Sequence, residues 1–417
     1  MTSRSARATL ARVLAALLAF TLIAAACGGD DDGDGDATTV DDSTEDTTDD
    51  TDDGSAEAAG DGEAVAPTIA EPVEDDTTDE GPVRGGVLRV ATEAESDGLN
   101  PVANNFAVSA YLMGLPIFDP LFAFDQDGNW FPNVAESATK IEGTTSWQVK
   151  VREGVTYHNG EEMDADDMIA TFQAQLADPI ISLAVAPSFQ PENPIEKIDE
   201  YTVQYNLLRD SAHFPANLTS QLGLIPPASY IEAAADDETL NQMPIGQGAF
   251  RMVSRVQDDR TVVEAFPDYW GGADRVYLDG IEFFPITDTA LAAERVAAGD
   301  IDVVVTTNPD AILTLRDADG VDTIENLFSS ENDIMMNTRS APFDDIRVRQ
   351  ALTFAADREG FSQLIGQGTS PLANSIFHPE LIWNNPDVVQ EGNTPELAGP
   401  LVEAYCADVP ENCTDGK

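Results

Sequence analysis

Residues 30 to 80 contain 22 Asp or Glu, no Lys or Arg, and no aromatic residue, and most of the remainder is Thr, Ser, Gly and Ala. Such a segment cannot bury enough apolar surface to offset the entropy lost on ordering, so we predict that it is disordered. Its like charges repel and extend it, and about 50 residues would reach roughly 40 Å. A folded core of any size must therefore come from the residues that follow.

The chain before the acidic segment has the layout of an export signal. Arg4, Arg7 and Arg12 precede an almost entirely apolar run at 13–26, "VLAALLAFTLIAAA". Fourteen residues are too few to span a bilayer, which takes about 20. We therefore interpret residues 1–26 as a signal peptide and expect the mature protein to be exported.

Cys27 follows directly, in "AAAC", which resembles a bacterial lipobox with Ala24 in place of the usual leucine. Two interpretations remain: a lipid anchor on Cys27, or simple cleavage that leaves an ordinary thiol. The anchor is favoured, since several acyl chains give stable membrane attachment. Residues 27–82 would then be a lipid-anchored acidic linker at the outer face of the cytoplasmic membrane, in the cell envelope. The alternative of a calcium-binding tail is weaker because "DDDGDGD" has no fixed ligand spacing.

Residues 81–417 carry 54 acidic and 18 basic side chains, a net charge of −36. Binding to nucleic acid is disfavoured, because phosphate contacts need a basic surface. The acidic residues are spread along the chain, which is typical of a strongly solvated surface. Roughly 335 residues suffice for two or more domains with real cores.

The remaining cysteines and the histidines give no sign of a metal or catalytic centre. Cys406 and Cys413 bracket "ADVPEN", and in an exported protein this spacing favours a small disulfide. A metal site is less favoured, since His158, His213 and His378 are scattered. Hydrolase, zinc-protease, P-loop and dinucleotide motifs are absent from the sequence, so we predict neither an enzyme nor a cofactor.

One stretch comes close to a calcium loop. "DQDGNWFPNVAE" (125–136) has oxygen-bearing residues at positions 1, 3 and 5 and Glu136 at position 12, as an EF-hand does. Trp130, however, stands where that loop needs glycine. A hairpin turn around Asp127-Gly128 is the favoured interpretation.

Strand and helix patterns alternate along the rest of the chain, which indicates an α/β fold. Trp147, Val149 and Val151 alternate with polar residues and predict a half-buried strand. Asp164 is expected to cap a helix, and Asp345 stands at the head of another. "VVVTT" is an apolar run of the kind found in buried strands.

Six segments in order, spread over residues 85–360, resemble the family 5 extracellular solute-binding proteins, the dipeptide and oligopeptide receptors of ABC importers. The segments are "GGVLRVA…LNP", "FDPLFAFDQDGNWFPNVAES", "WQVKVREGVTYHNGEEMDADDM", "IGQGAFRM", "FPDYWGG" and "PFDDIRVRQALTFAADRE".

The resemblance implies a two-lobed α/β fold of the type II periplasmic-binding-protein kind with an extra inserted domain. Residues 83–117 and 245–335 would form lobe I, 118–244 the insert, and 336–417 the start of lobe II. The family continues well beyond the point that matches Lys417. The second lobe is therefore expected to be incomplete at its C-terminus.

The resemblance also implies a monomeric receptor that passes peptides to an ABC permease and, through it, to the cytoplasmic ATPase. Ligand would shift an open–closed equilibrium between the lobes and pair as an added strand. Asn104, Asn105 and Phe106 would face the cleft, with Asn337 on a strand that crosses between the lobes. Alternatives that stay open are another solute such as a sugar or nickel complex, a surface sensory receptor, and a truncated fragment without function.

Overall fold

The computed structural model describes residues 82–125, 128–325, 333–375, 377 and 384–413. The predicted signal peptide, Cys27 and the acidic linker up to residue 81 therefore lie outside the described residues, as do Asp127 and His378.

The described residues form strands and helices in alternation. The strands are β1 (Val87–Thr92), β2 (Phe122–Phe124), β3 (Trp130–Pro132), β4 (Ala135–Lys140), β5 (Ser146–Val151), β6 (Ile195–Lys197), β7 (Thr202–Asn206), β8 (Phe250–Val256), β9 (Arg260–Ala265), β10 (Gly280–Pro285) and β11 (Val303–Val304). The α-helices are α1 (Val108–Gly114), α2 (Ala165–Ala177), α3 (Ile181–Val185), α4 (Phe214–Asn217), α5 (Ala228–Asp236), α6 (Thr289–Ala297), α7 (Pro309–Arg316), α8 (Ile346–Ala355), α9 (Arg358–Leu364) and α10 (Pro395–Asp408).

A five-stranded sheet has the order β11-β1-β10-β9-β8. Strand β1 runs parallel to β10 and β11, whereas β9 runs antiparallel to both of its neighbours, β10 and β8. The sheet thus joins a strand near residue 90 to four strands that begin at residue 250 or later. Leu99, Ile117 and Leu224 are fully buried against it.

A second sheet, β4-β5-β7-β6, is antiparallel and lies wholly within residues 135–206. Val149 and Val151 on β5 are fully buried and Trp147 nearly so, which confirms the predicted alternating strand. Helix α2 covers this face, where Phe172 packs edge-to-face on Tyr205 with ring centroids 5.4 Å apart.

Helix α2 begins at a reciprocal cap, as predicted. The Asp164 carboxylate accepts hydrogen bonds from the main-chain N–H groups of Asp166 and Asp167, at 2.7 and 3.3 Å. Asp167 Oδ2 in turn accepts from Asp164 N at 3.0 Å. The arrangement satisfies orphan donors of the first turn and typically contributes about 1 kcal/mol. Asp345 caps α8 more simply, with its Oδ1 accepting from Arg347 N at 2.8 Å.

Two further predictions have opposite outcomes. Strands β2 and β3 pair antiparallel, with Phe124 opposite Trp130, as the predicted hairpin requires; Asp127 of the predicted turn lies outside the described residues. The "VVVTT" run, in contrast, is wrongly predicted as a buried strand. It supplies the two-residue edge strand β11, and Val303 and Val305 are 37% and 43% exposed, because β1 is the only strand that pairs with it in the described sheet.

Helices α8 and α10 pack together near the end of the described chain. Arg347 binds Asp345 and Asp408, each at 2.7 Å. Cys406 and Cys413, the pair expected to be bonded, form a disulfide in the structure. Among the described helices none is alone long and apolar enough to cross a membrane; Ala165–Ala177 and Ile181–Ser188 meet that test only as a pair, bent by 101°.

Candidate ligand site

The candidate site lies at the carboxyl ends of the parallel strands. β1 pairs in parallel register with β10 up to Thr92 and Pro285, and with β11 up to Ala91 and Val304. The chain therefore leaves all three strands at the same end of the sheet. Ligands of open α/β sheets bind outside this edge. The connection from β1 to α1, residues 93–107, is the longest of the three and carries the predicted ligand residues at 104–106.

The first half of this connection is fixed by Asn241. Its main-chain carbonyl accepts from Leu99 N at 2.9 Å, and its Oδ1 accepts from Asn100 Nδ2 at 2.8 Å. Asn100 then organises the turn that follows: its Oδ1 accepts from Val102 N at 3.2 Å and its carbonyl from Asn104 N at 2.9 Å. The Asn100-Pro101 turn is therefore fixed both by hydrogen bonds to Asn241 and by hydrogen bonds within the loop itself.

The second half is fixed by Gln221. Gln221 Nε2 donates to the carbonyl oxygens of Pro101 and Asn104, at 2.8 and 2.7 Å. Gln221 Oε1 accepts from Phe106 N at 3.0 Å. Sequence reasoning missed Gln221 because 117 residues separate it from Asn104 and no local motif marks it.

The three predicted residues on this loop differ in their surroundings. The Asn104 side chain is half-buried and its Oδ1 accepts from Asn100 N at 3.2 Å. Phe106 is buried, with its ring edge-to-face on Tyr111 at 5.6 Å. Asn105 between them is exposed, and among the described residues neither its main chain nor its side chain has a hydrogen-bond partner.

Glycine allows two close approaches under this loop. A Cβ on Gly98 would lie 2.3 Å from Asn104 Oδ1, and one on Gly114 would lie 2.8 Å from the Phe106 ring. A larger residue at either position would displace the Asn104 amide or the Phe106 ring, since real Cβ atoms do not come within 3.0 Å of such neighbours.

Asn337 lies in an exposed turn and not on a strand. Its Nδ2 donates to Ser340 Oγ at 3.3 Å and its Oδ1 accepts from Arg339 N at 3.1 Å. Within the described part of the chain, no hydrogen bond joins it to residues 93–107. The ligand-binding role of Asn104, Asn105, Phe106 and Asn337 stays a prediction.

Two buried titratable groups outside this loop, Asp119 and His158, have structural partners. Burial raises the pKa of the Asp119 carboxyl to about 6, against hydrogen bonds from Tyr269 and Trp270 that lower it. Burial lowers the pKa of His158 to about 4, and its Nε2 lies 3.0 Å from Gly248 O. His158 is therefore neutral at physiological pH and engaged with the main chain. In the ranges that the structure describes, no group of three His, Cys, Asp or Glu side chains could hold a metal ion.

The fold belongs to the type II periplasmic binding proteins, as the sequence predicts. The oligopeptide-binding protein AppA of Bacillus subtilis, solved with a nonapeptide, superposes with a TM-score of 0.65 at 26% identity. The superposition covers 79% of this chain and 64% of that one.

The chain belongs to the family described as Bacterial extracellular solute-binding proteins, family 5 Middle, whose sequence profile matches residues 129–405. It is 26% identical to the dipeptide-binding protein of Escherichia coli over 341 residues, 77% of this chain and 63% of that protein. It is 29% identical to heme-binding protein A of Haemophilus influenzae over 280 residues, 62% of this chain and 50% of that protein. The chain thus spans about half to two thirds of the length of these relatives.

Proposed function

We propose that this protein captures short peptides outside the cytoplasm and hands them to the permease of an ABC importer, without catalysing a reaction. The observation that carries the proposal is family membership together with relatives that bind peptides. The Escherichia coli relative is a dipeptide-binding protein, and the Bacillus subtilis one was solved with a nonapeptide.

The main chain at Asn105 supports a peptide ligand. Gln221 occupies the carbonyl of Asn104 and the N–H of Phe106, and it leaves the N–H and C=O of Asn105 without partners among the described residues. These two main-chain groups can pair with the C=O and N–H of a peptide ligand. Such pairing is indifferent to the ligand's side chains and suits a receptor for many peptides.

The remaining parts of the proposal concern the arrangement around this site. Asn337 would contact ligand from the second lobe when the lobes close. Lobe I would comprise 83–117 and 245–335, with 118–244 inserted. The signal peptide, lipidated Cys27 and the acidic linker 27–82 would hold a monomeric receptor close to its permease.

The experiment that tests the ligand class is native mass spectrometry of the purified chain. It would be offered, separately, randomised dipeptide and tripeptide libraries, heme, simple sugars and the nickel–histidine complex. We expect peptide mass shifts from many library members. Retention of heme alone would move the assignment toward the Haemophilus influenzae relative, which is a heme-binding protein. Retention of sugar or nickel–histidine alone would also overturn the peptide proposal.

The anchor has its own test. Metabolic labelling with a fatty acid should mark the parent and not Cys27→Ala. An unlabelled parent would contradict lipidation and leave the ligand class untouched.

A further inference from the structure

We propose that Gln221 is a positioning residue of the ligand site: its side-chain amide holds the loop at 99–107 in the form that accepts ligand. The proposal rests on the function proposed above. It also gives the segment 118–244, which includes Gln221, a part in ligand binding.

The first argument is that both ends of the Gln221 amide are committed to the loop. The two protons on Nε2 have two acceptors, the carbonyl oxygens of Pro101 and Asn104 at 2.8 and 2.7 Å. Oε1 takes the Phe106 N–H at 3.0 Å. One planar group therefore fixes the loop on both sides of Asn105, whose main-chain N–H and C=O have no partner among the described residues.

The second argument is that the main chain of Gln221 is itself fixed by hydrogen bonds. Its N–H donates to the Tyr111 hydroxyl at 3.0 Å, and its carbonyl accepts from Gln175 Nε2 at 3.1 Å. Gln175 is fully buried on α2. The turn at Gln221–Gly223 is also closely packed, because a Cβ on Gly223 would lie 1.9 Å from Leu218 O. A fixed turn presents the amide to the loop.

The third argument concerns what happens without the amide. The loop groups that Gln221 satisfies lie close to the exposed Asn105, so water can replace it as a partner. The loop should then sample several conformations while the fold persists. A ligand that needs one of them binds with its dissociation constant divided by the fraction of molecules that have it. A fall of this fraction to about one tenth would weaken binding about tenfold.

The test compares Gln221→Leu with a matched control, Gln204→Leu, in the full chain. Gln204 is also half-buried and also uses both ends of its amide, donating to Glu196 and Asn206 and accepting from Gln148. It lies on β7, in the second sheet. Hydrogen exchange of residues 99–107 and binding of a randomised tripeptide library, quantified by mass spectrometry, would be measured well below each melting temperature.

We expect Gln221→Leu to raise exchange at 99–107 and to weaken tripeptide binding by a similar factor, about tenfold, with exchange in α2 unchanged. Gln204→Leu should leave hydrogen exchange at 99–107 and tripeptide affinity within about twofold of the parent. If Gln221→Leu does not fold, Gln221→Glu serves instead: it keeps the acceptor for Phe106 N and loses both donors, so exchange should rise more at 102–104 than at 106.

Unchanged hydrogen exchange at 99–107 in Gln221→Leu would overturn the proposal that the Gln221 amide holds this loop. Raised exchange with unchanged tripeptide affinity would overturn the positioning role and leave a purely structural one. If the parent binds no peptide, the proposed function fails together with the positioning role, whereas the exchange comparison still decides whether Gln221 orders the loop.

Discussion

The hydroxyl of Tyr269 donates a 2.7 Å hydrogen bond to Asp119 Oδ2, and so joins residues 150 positions apart. Trp270 Nε1 donates to the same oxygen at 3.0 Å, and the Trp270 side chain packs against the core of the second sheet. Two of the segments that resemble the family, "FDPLF…" and "FPDYWGG", therefore meet at one carboxylate. The contact ties the turn after β9 to the chain that leads into β2.

This carboxylate should make stability depend on pH. Burial raises the pKa of Asp119 in the folded protein to about 6, above the usual value near 3.8. Folding thus favours the protonated form, and the stabilising contribution is complete below about pH 4 and is lost as pH rises through 6. Asp119→Asn cannot titrate. Its free energy of unfolding relative to the parent should therefore rise by about 2 kcal/mol between pH 4 and 7 in urea titrations.

A flat difference for Asp119→Asn over the same range would mean that Asp119 ionises normally in the folded protein.

His158 should stay neutral through the physiological range. Its folded pKa is lowered to about 4 by burial, so it contributes stability above the usual pKa near 6.5 and loses it as pH falls through 4. The NMR signal of the His158 ring should therefore not titrate between pH 5 and 8. A midpoint near 6.5 would show that the ring reaches water and that its contact with Gly248 is not retained.

The buried ion pair between Arg255 and Glu95 should be costly to break. The side chains are 1% and 15% exposed, and Arg255 Nη2 lies 2.7 Å from Glu95 Oε1. The Glu95 carboxylate also accepts from the N–H groups of Ser96 and Asp258, both at 2.8 Å. Glu95→Ala leaves a buried guanidinium unpaired, and we expect a loss of about 3 kcal/mol in the free energy of unfolding.

The double variant Arg255→Met/Glu95→Leu should lose less free energy of unfolding than Arg255→Met and Glu95→Leu lose in sum, because it leaves no charge uncompensated. Additive losses in chemical denaturation would mean that the two groups do not interact. The exposed pair Arg251–Glu264, whose side chains are 43% and 48% exposed, is the matched control and should contribute less than about 1 kcal/mol.

The disulfide between Cys406 and Cys413 should stabilise only the end of α10. Seven positions separate the two residues, and closing so small a loop contributes about 2 kcal/mol in the chain-entropy account. Peptide mapping without reductant should recover the two cysteines as one linked peptide. Cys406→Ser should raise hydrogen exchange near Tyr405 and leave β1 unchanged; exchange raised in β1 would contradict the local role.

The sequence predicted features that depend on neighbours in the chain. The Asp164 cap and the alternation at Trp147–Val151 are local, and both are present in the structure. The apolar run at β11 was misjudged because periodicity does not reveal how many strands flank a segment. The overall fold followed from the resemblance of ordered segments and not from any single pattern.

The candidate site was less predictable than the fold. Resemblance pointed to residues 104–106, but it did not separate the buried Phe106 from the exposed Asn105. The residues that hold the loop, Gln221 and Asn241, reach it over more than a hundred positions. Glutamine and asparagine occur at many surface sites, so neither residue type nor spacing marks them.

The measurement that tests the central claim most directly is binding of a randomised tripeptide library to the parent, Asn105→Ala and Asn105→Pro, followed by mass spectrometry. Alanine keeps the main-chain N–H of residue 105 and proline removes it. We predict that the parent and Asn105→Ala retain many tripeptides and that Asn105→Pro retains them about tenfold less, with melting temperatures that show all three to be folded. A parent that retains no tripeptide, or an Asn105→Pro variant that binds as the parent does, would contradict a receptor that reads peptide main chain at this loop.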